Sequence, residues 1–300
     1  MKPTIPVLLV AAREMKLLWR GRITRGSMIV LIAAAWLPAF LLPLRAGMIT
    51  LASFTEVMPL TMALCGILLP LISLLWGADL LSGEIADGTL VAIITLPISR
   101  TACFLGKCLG RFVLLIAFFL IAFGSAAVAI AAVQGMEGLV GYIALACAGL
   151  LLSLACAAIG TSLSSGRRKV RTFASALMAW VALVFAIDAL LLVLIVALAP
   201  AAPQVGMHGH SELASAMHEQ HNGDRNKNAS PAAWLLTLNP VDLFRFGVLA
   251  SAPQFNAELS MMLPGVEPDS LRFPLIAGAI FWIVAPLIFA LRRFLYAPLN

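Results

Sequence analysis

All four histidines of this chain, with two of its methionines, fall within fifteen residues: Met207, His208, His210, Met217, His218 and His221. His208 and His210 are two apart. His218 and His221 stand at i, i+3, a spacing that a helix turns onto one face. Imidazole and thioether together suit copper better than magnesium or calcium. The string His218-Glu219-Gln220-His221 is not the zinc-protease pattern, which places its histidines four apart. Three readings remain open: a polar, flexible loop with incidental metal affinity, a transient copper hand-off site, and a folded metal centre. The last has least support, because neither cysteine nor a compact framework accompanies the ligands.

Asp188 is the second residue with chemical potential, since it interrupts an apolar run of membrane-spanning length. A carboxylate there costs about 2.5–3.5 kcal/mol on insertion scales and usually faces the bundle interior. With no basic residue at matching depth, it reads as a cavity- or subunit-facing carboxylate. A proton-coupled secondary transporter using Asp188 is the alternative from another class. Paired carboxylates or a nucleophile and base at recognisable spacing are missing, so the chain does not read as an enzyme. Nor does it carry a phosphate-binding loop: Gly106-Lys107-Cys108 lacks both the upstream glycine spacing and the hydroxyl. ATP and magnesium, if used, belong to a partner, and no resident cofactor is expected. Of the cysteines, Cys65, Cys147 and Cys156 fall within apolar runs and Cys103 and Cys108 beside basic residues, the distribution of unpaired thiols.

These residues must be positioned by a membrane. Of 300 residues 62% are hydrophobic and 11% charged, against roughly a quarter charged in soluble domains. Mean hydropathy is +1.01. Six apolar runs can cross a bilayer, at about 27–44, 57–76, 112–133, 139–163, 173–198 and 273–291. Fifteen of the twenty Lys and Arg residues fall on one side of this pattern. The positive-inside rule then places both termini in the cytoplasm, which for a bacterial chain means a multi-pass inner-membrane protein. The basic pI near 9.4 reflects this anchoring rather than nucleic-acid binding. The cluster Arg167, Arg168, Lys169 and Arg171 reads as an anchor on anionic lipid. Glu56 and Glu137 near the outer span ends read as solvated. Residues 1–26 form a cytoplasmic segment in which 5–20 mix Leu8, Leu17 and Trp19 with Arg13, Glu14, Lys16 and Arg20. That mixture predicts an amphipathic helix in the membrane interface.

Two connections exceed a simple turn. The cytoplasmic one, 77–111, holds an acidic, partly apolar helix (Asp79, Glu84, Asp87), then Gly88-Thr89-Leu90, an apolar stretch and a Pro97-Ile98-Ser99-Arg100 break. It predicts a helix at the inner interface and a sharp turn into the third span, with a solvated loop holding a helical turn as the alternative. The outer loop, 199–272, holds the Met/His run and then an apolar stretch, 231–251, broken at Asn239-Pro240 and carrying Asp242 and Arg245. Two short helices dipping into the outer leaflet suit it better than a span. A last span and a short tail occupy 273–300.

Glu84, Gly88, Thr89, Leu90, Pro97, Ser99, Arg100, Gly106 and Lys107 resemble the E-x3-G-T-L … P-x-S-R … G-K signature of ABC-2-type permeases, the membrane subunits of six-span ABC exporters. The resemblance implies an all-α polytopic, type V exporter-like permease with an interfacial N-terminal helix and re-entrant outer helices before the last span. It implies that the segment containing Asp87 is a coupling helix docking onto an ATP-binding subunit. Glu84 would meet that subunit, and Arg100 and Lys107 would fix the loop at lipid headgroups. Two ATP-binding subunits and a second copy of the chain are the implied partners. Asn239-Pro240-Val241-Asp242-Leu243-Phe244-Arg245 resembles the NPxDxFR element of NosY-type permeases, which serve maturation of nitrous oxide reductase, a periplasmic copper enzyme. A periplasmic accessory protein is the further partner this implies. A generic exporter of lipid, polysaccharide or drug is the runner-up.

Overall fold

The computed structural model describes residues 4–86, 99–164, 169–187, 189–190, 234, 236–262 and 268–296. Among them there are helices and no strands: α1 (Thr4–Arg20), α2 (Arg22–Arg45), α3 (Phe54–Ala86), α4 (Arg100–Gln134), α5 (Leu139–Ser164), α6 (Lys169–Val181), α7 (Pro240–Ser251), α8 (Asn256–Met262) and α9 (Pro268–Tyr296). A π turn, Ala182–Ala186, continues α6. Six of these are long and apolar enough to cross a membrane, at Thr24–Arg45, Phe54–Gly83, Arg100–Gln134, Leu139–Ser164, Lys169–Ala186 and Asp269–Tyr296. Six spans are expected and six candidates are present, although the expected fifth, 173–198, runs beyond the described residues after 190.

Their ends differ in one informative place. The second and third spans overrun the expected 77–111 connection from both sides, α3 continuing to Ala86 and α4 starting at Arg100. Asp79 therefore belongs to the end of a spanning helix and not to a separate interfacial one. Charges normally end a span; here Lys107 and Arg111 continue it, because both are buried and paired within the protein. Ser99 starts α4 as its N-cap, its Oγ accepting from the Ala102 N–H at 3.2 Å.

The spans alternate in direction. The start of α4, the start of α6 and the ends of α3 and α9 meet at one end of the bundle, joined by Lys169–Asp79 and by Arg100 Nη1 donating to the Leu295 carbonyl. We call this the basic end. The core is a bilayer-length column of Phe54, Met58, Leu69, Phe118, Phe119, Phe123, Tyr142, Leu145 and Leu152, drawn mainly from α3, α4 and α5. Its closest crossing is α3 on α5, where Gly77 faces Gly160 backbone to backbone. Small residues allow such approach where packing, not water exclusion, joins helices.

Candidate functional site

The basic end holds a charge network that sequence reasoning did not assemble. Glu14 of α1 is buried, and its carboxylate accepts from Lys107 Nζ at 3.1 Å and from Arg111 Nε at 3.2 Å. The Arg111 guanidinium continues to the Trp76 carbonyl and lies 3.8 Å from Asp79 Oδ2. Asp79 Oδ1 is 3.3 Å from Lys169 Nζ at the start of α6. The Trp76 indole in turn donates to Ser27 Oγ on α2 at 2.7 Å. Five helices are thus tied by three cations, two carboxylates and an indole. Only the Lys169 side chain, 42% exposed, reaches far into solvent.

Two glycines make the central contact possible. A Cβ at Gly106 would stand 2.8 Å from the Val7 carbonyl oxygen, and one at Gly110 would stand 2.7 Å from that of Ala11. They form a G-x-x-x-G groove in α4 that seats the backbone of α1. The next residue after each glycine, Lys107 or Arg111, then meets Glu14. The sequence signal was available: a glycine followed by a cation, repeated four residues on, and one acid in a basic helix.

Lys107 is therefore not a headgroup anchor; it is 3% exposed and serves α1. Arg100 is half-buried against Leu295. Lys169, expected to anchor on lipid, turns partly inward to Asp79. The α1 helix does form, and Leu8, Leu9, Leu17 and Trp19 are exposed along it as an interfacial helix requires. Glu14 departs from the expected polar face by pointing into the protein. Glu84 lies in the last turn of α3. Asp87, Gly88, Thr89, Leu90 and Pro97 lie outside the described residues, as do Asp188 and Met207, His208, His210, Met217, His218 and His221.

The Asn239–Arg245 element forms a second assembly. Asn239 is fully buried, and its Oδ1 accepts from the Val241 N–H at 3.1 Å to cap α7. Its Nδ2 donates 3.0 Å to the Leu183 carbonyl, inside the π turn of the fifth span. Widened turns shift carbonyls off the regular ladder, and here a side chain from another element meets one. Pro240 sits at the first helical position, where its missing N–H costs nothing. The expected break at Asn239-Pro240 is thus the start of α7, and the second short helix, α8, comes after Pro253.

The start of α7 lies deep. The carbonyl of Thr237 accepts from Trp282 Nε1 at 2.8 Å, fourteen residues into α9, whereas Ala252 at its far end adjoins Gly141 at the start of α5. Phe244 is buried, and the buried Asp242 lies 3.9 Å from Arg245 Nη1. Replacing Asn239 with Ala removes the cap, worth about 1 kcal/mol, and the hydrogen bond to the Leu183 carbonyl, worth about 0.5–1.5 kcal/mol. The expected result is a fall in thermal midpoint of the purified protein, with Ser251→Ala on the exposed end of α7 causing little change.

An all-helical bundle of six membrane-length helices, with a docked N-terminal helix and a helix pair before the last span, has the architecture of a multi-pass membrane protein. The sequence agrees: residues 9–298 match the family described as ABC-2 family transporter protein. The chain belongs to the ABC-2 transporter family. It is 30% identical over 260 residues to a probable ABC transporter permease protein NosY of Pseudomonas aeruginosa, covering 85% of this chain and 82% of that one. It is 28% identical over 283 residues to a protein of the same description from Stutzerimonas stutzeri, covering 88% and 85%.

Proposed function

We propose that this chain is the membrane subunit of a complex in which two separate ATP-binding subunits drive a dimer of this chain, in the service of copper-site maturation of nitrous oxide reductase. The basic end faces the cytoplasm of a bacterial inner membrane, a reading that the distribution of Lys and Arg supports. The observation that carries the coupling is the Glu14–Lys107–Arg111–Asp79–Lys169 network. Its members Asp79 and Lys107 stand about two helical turns from the helix ends Ala86 and Arg100 that flank residues 87–98. A push on those residues when the ATPases close is shared at once among α1, α3, α4 and α6. The helix α3 is 33 residues long and α4 is 35, so a tilt at the basic end reaches the opposite end. There α7 packs on α5 and α9.

The copper reading is supported by the similarity to the two NosY-named proteins, by the Asn239–Arg245 element and by the Met/His run. Copper would be a transient ligand of that run, with a periplasmic protein as its giver or receiver. Replacing Met207, His208, His210, Met217, His218 and His221 with Ala is expected to lower the copper content of nitrous oxide reductase several-fold. ATPase activity of the complex should be retained. Unchanged copper content would instead favour a generic exporter of lipid, polysaccharide or drug.

The first test is purification of the tagged chain from its own membrane in mild detergent, with co-purifying proteins identified by mass spectrometry. An ABC ATPase at one copy per chain supports the coupling reading, and a periplasmic companion supports the copper reading. Recovery of the chain alone, under conditions where known complexes survive, would overturn the first.

A further inference from the structure

Between α5, α7 and α9 lies a half-open cavity of about 490 Å³. Its wall along α5 runs from Val140 to Ala155, a rise of roughly 22 Å at 1.5 Å per residue. That exceeds the roughly 15 Å depth of one hydrocarbon leaflet. Ala148 and Ala155 on α5, Gly247 on α7 and Ala279 on α9 keep it open, and Leu151 and Ile276 make its walls apolar.

Spread over that length, 490 Å³ is a long, narrow slot rather than a round chamber. Such a slot admits a single polymethylene chain, whereas a helix with its side chains is about 10–12 Å across. At the end of the slot where α5 and α9 begin stands Arg272, with Ser251 also in the lining. Arg272 is exposed and pairs with Asp269 at 2.8 Å through Nη2. A guanidinium has five donors in a fork, so one carboxylate contact leaves geometry for a phosphate beside it.

The geometry points to a phospholipid site: one acyl chain fills the slot between α5, α7 and α9, and its phosphate rests on Arg272. The slot adjoins α7, with Leu243 and Phe244 in its lining, so the lipid would brace the same helix that Asn239 pins at its buried end. This site does not depend on which subunit or cargo the chain serves.

The test uses the full chain, with whatever co-purifies, in nanodiscs containing phosphatidylglycerol that carries a diazirine on one acyl chain. Photocrosslinks are expected to concentrate in peptides covering 140–155 and 272–279. Ala148→Trp from the α5 side, and independently Ala279→Trp from the α9 side, should abolish them. Val128→Trp, on the exposed face of α4, should not. Arg272→Ala is expected to lower the yield about tenfold, as loss of one charge-assisted contact does. Crosslinks spread evenly over all exposed faces of the wild-type chain would overturn the site. So would efficient Cys147–Cys147 bridging between two copies with a short crosslinker, because Cys147 lines the slot and a second copy would then occupy it.

Discussion

Replacing Glu14 with Gln is expected to destabilise the protein by about 3–5 kcal/mol, the usual consequence of removing one partner from a buried ion pair. The shape is nearly unchanged, so packing against Gly110 survives, while Lys107 and Arg111 lose the carboxylate that both contact. Asp79, at 3.8 Å from Arg111 and already 3.3 Å from Lys169, is a poor substitute. The loss comes from two buried cations that no longer face the negative charge of Glu14. Glu14→Gln combined with Lys107→Met should therefore recover much of it, the non-additivity expected of residues in one network. Thermal unfolding of the detergent-purified chain reads this directly. A single variant within a few tenths of a kcal/mol of the parent would show that the network carries no stability. Coupling is a separate readout: if the network transmits the ATPase stroke, the double variant folds yet leaves ATP hydrolysis poorly linked to transport.

The features that composition and charge distribution can express were legible in the sequence. Six spans, a helical N-terminus and the first short helix before the last span follow from run length, amphipathic mixing and the Pro-broken stretch at 231–251, whereas the second short helix lies beyond that stretch. The family followed from short motifs at fixed spacing. Partners distant in the chain were not legible. Lys107 looks like an anchor until Glu14, 93 residues away, is brought beside it. Asn239 looks like a helix breaker until Leu183, 56 residues away, supplies the carbonyl it meets. The ends of α3 and α4 were misjudged for the same reason. A charge reads as the end of a span only while its neutralising partner is unknown, and Lys107 and Arg111 carry theirs inside the protein. Gly77 and Gly160 gave no local signal, since each sits in an ordinary helical context.

That pair should be the least tolerant point of the fold. A Cβ at Gly77 would overlap the Ala157 carbonyl oxygen and lie 2.7 Å from the Thr161 nitrogen. A Cβ at Gly160 would overlap the Leu74 carbonyl oxygen and lie 3.0 Å from the Ala78 nitrogen. These neighbours are backbone and cannot rotate away, so α3 and α5 must separate. They form the broadest helix contact among the described residues, and separation loosens Phe119, Leu69 and Leu152 along it. Gly77→Ala is expected to cost more than about 4 kcal/mol, the range reserved for lost core geometry, and Gly160→Leu to prevent recovery of folded protein. Gly124→Ala supplies the contrast: it is also a glycine within a spanning helix, yet nothing lies within 4 Å of its Cβ position. Ala is the better helix former by roughly 0.5–1 kcal/mol, so this change should be neutral or mildly stabilising. Gel-filtration recovery and thermal midpoint of the three variants decide the matter. If Gly77→Ala behaves like Gly124→Ala, the two helices do not cross as closely as the structure has them.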